Sequence, residues 1–177
     1  ESGVKAGSGL HPELALKNHY RIVCRDRDTG EIRWIEEFDN LVTTAGLNDN
    51  LDKYLKGSGY SAAWYVGLTD GAPTVAAGDT MASHAGWAEV TAYDEAARPA
   101  LVLGSVAAGS VDNAGNEATF TIDTNGTTIG GAFLCTDATK GGTAGVLYSV
   151  AAFTGGNKTI GDNDVLDVTV TCTAAAA

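Results

Sequence analysis

A chain of 177 residues with a formal charge of −11 is long enough to bury one substantial core, and it is too acidic to be drawn to nucleic acid or an anionic membrane. Hydrophobic residues make up 44%, an ordinary globular share, while charged residues make up only 19%. Gly, Ala and Thr fill the difference and favour turns and strands over long helices.

Residues Glu1 to His11 carry three glycines, two serines and little to bury. The expectation is a flexible arm over residues 1–17 and a single β-sandwich domain over 18–177. From His19 to Phe38 the pattern is a hairpin. Tyr20, Ile22 and Cys24 share one face of its first strand, and Ile32, Trp34 and Phe38 share one face of its second. Asp26 to Gly30 supplies the turn. Arg21, Arg25, Arg33 and Glu37 mark a face that meets water or a polar partner.

The only helix signal runs from Thr44 to Lys56. Leu47, Leu51, Tyr54 and Leu55 recur at helical spacing, Thr43 or Thr44 can cap the start and Gly57 can end it. Such a helix should lay its apolar stripe over a sheet edge or barrel end. The stretch Ala63 to Tyr93 follows, with a strand at Ala63–Leu68, a long loop, and a second aromatic segment at Gly86–Val90. It holds Trp64, Trp87 and Met81, so part of the core must lie there.

Arg98 to Leu103 reads as a strand with Pro99 at its start, and Val106 as its continuation after Gly104. Glu117 to Ile122 alternates, with Ala118, Phe120 and Ile122 inward. Thr128 to Cys135 is almost continuously apolar or small and should lie deep, with Gly130 and Gly131 admitting a close backbone or ring. Gly145 to Phe153 is the next strand. Val165 to Thr173 is the last, with Leu166, Val168, Val170 and Cys172 inward. Short strands between Gly/Asn/Asp turns predict a mainly β fold, an antiparallel, jelly-roll-like β-sandwich with one short α-helix.

Chemistry is sparse. Cys24, Cys135 and Cys172 lie far apart without CxxC spacing and read as small apolar residues of a chain made in a reducing compartment. No leader pattern opens the sequence, and no run of about 18 apolar residues could span a bilayer. His11, His19 and His84 have no metal-ligand spacing. The turns Asp112–Asn116, Asp123–Gly126 and Asp162–Asp164 offer oxygen ligands, but turn formation explains them equally. Ser58 and Ser83, the latter beside His84, lack the GxSxG setting of a nucleophile. Tyr60, Tyr65 and Tyr93 are candidates for a sugar-stacking surface, with packing as the competing role. No enzyme, metal or cofactor is expected.

The order of segments carries more. Trp34 leads to Asn40-Leu41-Val42-Thr43-Thr44-Ala45-Gly46-Leu47-Asn48, then to Trp64-Tyr65-Val66-Gly67-Leu68. Asp79 to Glu89, Tyr93, Arg98, Ser110 to Asn113, Ile129 to Phe133 and a strand after Gly161-Asp162 complete the series. Over Tyr20 to Thr173 the chain resembles a family of tailed-bacteriophage structural proteins encoded among head and tail genes, some of which resemble capsid cement or decoration proteins. The resemblance implies a virion protein on the capsid exterior, assembled in the host cytoplasm. Its partners would be the major capsid protein and further copies of itself, as a dimer or trimer, with neither nucleic acid nor membrane. An arm that orders against a neighbouring subunit would do so through Val4, Leu10, His11 and Pro12. A tail, baseplate or fibre-attachment component is the alternative, and a glycan-binding adhesin module a further one.

Overall fold

The computed structural model describes residues 14–60 and 62–176. In chain order the strands are β1 Leu14–Asp26, β2 Ile32–Asp39, β3 Leu41–Val42, β4 Tyr65–Thr69, β5 Ser110–Asp112, β6 Ala118–Thr121, β7 Thr127–Ile129, β8 Gly131–Cys135, β9 Leu147–Ala152, β10 Lys158–Ile160 and β11 Asp164–Ala176. A helix between β3 and β4 starts as α1 (Thr44–Asn50) and ends in a π-wound turn, Leu51–Leu55. The fold is mainly β, as the alternation predicts.

Two antiparallel sheets form the sandwich. The first runs β2-β1-β11, with β5 and β6 both on the far edge of β11; the second runs β3-β9-β8-β4. A short ribbon, β7 with β10, stands beside them. The first sheet is built on the two longest strands: β1 and β11 pair over 13 residues from Leu14↔Ala176 to Asp26↔Asp164. The domain therefore begins inside the stretch read as an arm, since residues 14–17 already lie in β1. Val4, Leu10, His11 and Pro12 fall outside the described residues.

Alternation on β1, β6 and β11 fixes the core. Tyr20, Ile22, Cys24, Phe120, Ile122, Leu166, Val168 and Val170 are each fully buried, and they meet Val66, Leu68, Ala132 and Leu134 from the second sheet. The outer face of the second sheet is covered as well. Phe133, Cys135, Leu147 and Val150 form a second cluster with Met81 and Trp87 from the loop 70–93. All five residues of β8 are buried for that reason.

The paired glycines behave as their spacing suggests. A Cβ on Gly130 would lie 2.2 Å from the backbone of Gly71, and one on Gly131 would lie 2.1 Å from the Ala151 carbonyl oxygen. Only glycine lets these chains approach so closely.

Two expectations fail locally. Ile32 does not share the inward face of Trp34 and Phe38. The pairing slips between Cys24 and Arg25, so that Ile32 stands opposite Arg25 on the outer face and is 56% exposed. Residues 98–103 do not form a strand either. Pro99 has no N–H to donate, and the contact with β4 shrinks to the Tyr65↔Ala100 bridge flanked by bonds from Val66 to Pro99 and from Leu101 to Trp64. Val106 then projects into solvent beside the tight Ala107–Ser110 turn.

Candidate functional site

The helix is where the structure departs most from the sequence pattern. Thr43 is buried and caps α1: its Oγ1 accepts a hydrogen bond from the Gly46 N–H at 3.1 Å and donates to the Leu147 carbonyl. Gly46 then lies directly on β9, where a Cβ would fall 2.6 Å from the Tyr148 carbonyl oxygen. Asn50 donates to the Tyr148 hydroxyl at 3.0 Å. The helix thus rests on the sheet by a glycine and an asparagine, and its apolar stripe is turned outward.

That reverses the expected burial. Leu47 is 42% exposed, Leu51 55%, Tyr54 87% and Leu55 73%. Together with Asn50 and Leu16 of β1 they line an open cleft of about 500 Å³. A second cleft shares Asn50 and Tyr54 with the first and adds Asp49, Lys53, Tyr60 and Trp64. A third continues from Tyr60 and Trp64 over Leu103, Tyr148 and Cys172. A fourth returns from Tyr148 and Cys172 through Val106 to Leu16. These shared linings make one continuous apolar surface across one end of the sandwich. Soluble monomers seldom leave such a contiguous patch open, and where they do it commonly marks a contact surface.

Charges elsewhere on the molecule are mostly paired. On the outer face of the hairpin, charges pair within the molecule: Arg21 with Glu37 at 3.2 Å, Arg33 with Asp164 at 2.7 Å and with Asp26 at 2.8 Å, and Arg25 with Asp167. Glu36 is buried, and burial works against its charge. The Gly155 amide, Thr154 and Lys158 nevertheless hold its pKa below the usual carboxylate value. On the helix Asp52 is held by Lys56 at 2.8 Å, whereas Asp49 makes no ion pair among the described residues.

Among the described residues, the other sequence candidates do not converge on a site. Tyr93 is 1% exposed and packs edge-on against Phe120, so it offers no sugar surface. Trp64 donates to the Tyr60 hydroxyl at 2.8 Å, while Tyr65, next in the strand, points to the opposite face and joins the Met81 and Trp87 cluster. Among the described residues, the most exposed aromatic rings are Tyr54 and Tyr60, both at the end face.

Carboxylates in the proposed oxygen-ligand turns hold the turns themselves. Asp112 accepts from the Ala114 N–H, Asp123 from the Thr124 hydroxyl and Asp164 from the Gly161 N–H. No group of three potential metal ligands gathers among the described residues. Cys24, Cys135 and Cys172 are free thiols, and burial raises all three, Cys24 to about 12 and Cys172 to about 11. They are poor nucleophiles.

Arg98, read from the sequence as the start of a strand, is instead a wholly buried cation. Its Nε and Nη2 donate to both oxygens of Glu89 at 2.8 and 2.7 Å, and its remaining donors reach the Asp137 carbonyl at 2.8 Å and the Gly142 carbonyl at 2.6 Å. Gly141 donates to the same Glu89 carboxylate. The guanidinium lies 5.3 Å from the centre of the Phe133 ring. One cation thereby ties the loop before it to the loop between β8 and β9.

His84 stacks on Trp87 with ring centres 3.6 Å apart and 9° between planes, and its Nδ1 is buried without a partner. No carboxylate orients that nitrogen, so Ser83 and His84 do not form a nucleophile pair. Desolvation lowers the His84 pKa below its ordinary 6.5, with Asp79 opposing. The unfolded chain therefore binds this proton more readily than the folded one. The stabilisation is complete above about pH 6.5 and fades as pH falls through the folded-state value. His84→Phe, which keeps the stack and removes the titration, should flatten the loss of urea midpoint between pH 7 and pH 5. Equal losses in both proteins would contradict this role.

Compared with family models, with curated proteins and with solved structures, the chain matches none.

Proposed function

We propose that this chain is a structural component of a tailed-phage virion, a decoration or cement protein that binds the outside of the major capsid lattice and associates with copies of itself. The apolar end face carries this reading. It is a surface shaped for contact on a stiff scaffold whose overall charge of −11 would keep it off packaged DNA.

The segments that resemble the phage family support the same reading from within the fold. Thr43 and Gly46 set the helix on β9, Trp87 packs on Phe133, and Glu89 clamps Arg98. Gly130 and Gly131 admit neighbouring backbone. These residues build the frame that presents the end face.

Quantitative mass spectrometry of purified virions tests the proposal. A copy number near one or one-half per major capsid subunit is expected for a protein that follows the lattice. A handful of copies per particle would overturn the capsid role and place the chain in the tail, baseplate or neck.

A further inference from the structure

We infer that the cleft on the other side of the helix, where Asp49 and Lys53 face the returning segment 57–60, is a glycan-binding site that takes a neutral hexose unit on the ring of Tyr60. Leu47, Leu51 and Leu55 line the apolar cleft and do not reach this one. Asp49 and Lys53 instead line two adjoining clefts of about 230 and 240 Å³, which they share with Tyr60. The leucine face can therefore be covered while this side stays open.

The cleft follows from the local course of the chain. Asp49 and Lys53 stand four residues apart, about one helical turn, and project from the same side. Beyond Leu55 the chain reverses at Gly57, whose φ of +76° suits glycine. The Lys53 ammonium donates to the Gly59 carbonyl at 3.3 Å and ties the returning segment to the helix. Tyr60 is then held by its tip, because Trp64 Nε1 donates to its hydroxyl at 2.8 Å. Trp64 is braced in turn by Tyr148, edge-on with ring centres 5.0 Å apart. Tyr60 so fixed remains 53% exposed.

Hydrogen-bonding capacity of both kinds is left unused around this ring. The ion pairs of the helix join Asp52 to Lys53 and Lys56, and they leave both oxygens of Asp49 as acceptors. Asn50 gives its amide hydrogens to the Gly46 carbonyl and the Tyr148 hydroxyl, which leaves its Oδ1 to accept. Beyond its bond to Gly59 the Lys53 ammonium has further hydrogens to donate, and the Tyr60 hydroxyl keeps its own. On the far wall Thr136 accepts from the Val146 N–H at 2.9 Å and retains its hydroxyl hydrogen. A sugar hydroxyl donates and accepts at once, and one face of a hexose ring carries mainly C–H groups. An aromatic ring with acceptors and donors at its rim matches both properties.

Size and charge narrow the ligand. Sites for drug-sized molecules run to about 300–1,000 Å³, so clefts of this volume suit a single sugar ring. Asp49 and Lys53 are the charged residues of the lining and balance each other, which leaves no second cation for a phosphate, sulfate or carboxylate. The overall charge of −11 repels anionic glycans further. The inference goes beyond the proposed virion role and does not depend on it.

The test is a glycan array probed with the purified chain displayed on streptavidin, where multivalency makes weak binding visible. The best-bound glycan is then titrated with tryptophan fluorescence as the readout, since Trp64 borders the cleft. Neutral glycans should bind, and sialylated or sulfated ones should not. Tyr60→Ala and Asp49→Ala should each raise the Kd by at least about tenfold, whereas Leu51→Ala, on the leucine face, should leave it unchanged. Thermal melts of all three should stay close to the parent's. An array on which no neutral glycan is bound overturns the inference. So does a Kd indifferent to Tyr60→Ala and Asp49→Ala, or a preference for anionic glycans. The copy number in virions is measured separately, so either reading can fail while the other stands.

Discussion

Arg98→Ala should destabilise the fold by about 3–5 kcal/mol, because it leaves the Glu89 carboxylate buried without its cation. For a domain of this size that is a fall of roughly 6–20 °C in melting temperature. The loss is more than one ion pair. Arg98 also satisfies the carbonyls of Asp137 and Gly142, and Phe133 packs near its guanidinium. Arg98→Lys should recover little, since one ammonium cannot reach both Glu89 oxygens and two carbonyls as the planar fork does. Replacing both charges, as Glu89→Gln with Arg98→Met, should cost less than the sum of the single changes. Urea melts of the parent, Arg98→Ala, Arg98→Lys, Glu89→Gln, Arg98→Met and the Glu89→Gln/Arg98→Met double variant measure this. A change of less than about 0.5 kcal/mol for Arg98→Ala, the range of ordinary surface substitutions, would show that the clamp is not holding the loops.

Gly131→Ala should be about as damaging, on the order of 3 kcal/mol or more. The new methyl would stand 2.1 Å from the Ala151 carbonyl oxygen, 2.9 Å from Thr69 Oγ1 and 3.0 Å from the Pro73 ring. The first of these is backbone in the neighbouring strand, held by the β8–β9 ladder. It cannot turn aside as a flexible side chain would. Relief requires the sheet to part where its outer face is covered by the loop 70–93, so the expected result is a lost or strongly shifted cooperative melt. A melt equal to the parent's would mean that β9 sits farther from β8 than described.

Strands whose two faces differ were legible. The alternation of Leu166, Val168, Val170 and Cys172 anticipates β11, and that of Ala118, Phe120 and Ile122 anticipates β6, because a half-buried strand writes its geometry into every second residue. The close approach at Gly130 and Gly131 was also readable, since two small residues in an apolar run have few other uses. The helix was legible as a helix but not in its orientation. Periodicity shows which residues share a face, not which face meets the sheet, and here Gly46 and Asn50 make the contact. Ile32 was misplaced because a bulge reverses side-chain direction without any mark in composition. The strand predicted at 98–103 failed where Pro99 met an edge that needed donors. Arg98 itself was invisible as a core residue, for its partners lie nine, 39 and 44 positions away. The apolar end face followed only once Leu16, Val106, Trp64, Tyr148 and the helix had been brought together in space.

The measurement that bears most directly on the function is a cryo-electron reconstruction of virions carrying this chain. The proposal predicts density for it at symmetry-repeated positions on the outer shell, with Leu47, Leu51 and Leu55 of the helix buried against a neighbouring molecule. Density confined to the tail, or a shell-bound chain whose helix faces open solvent, would contradict it.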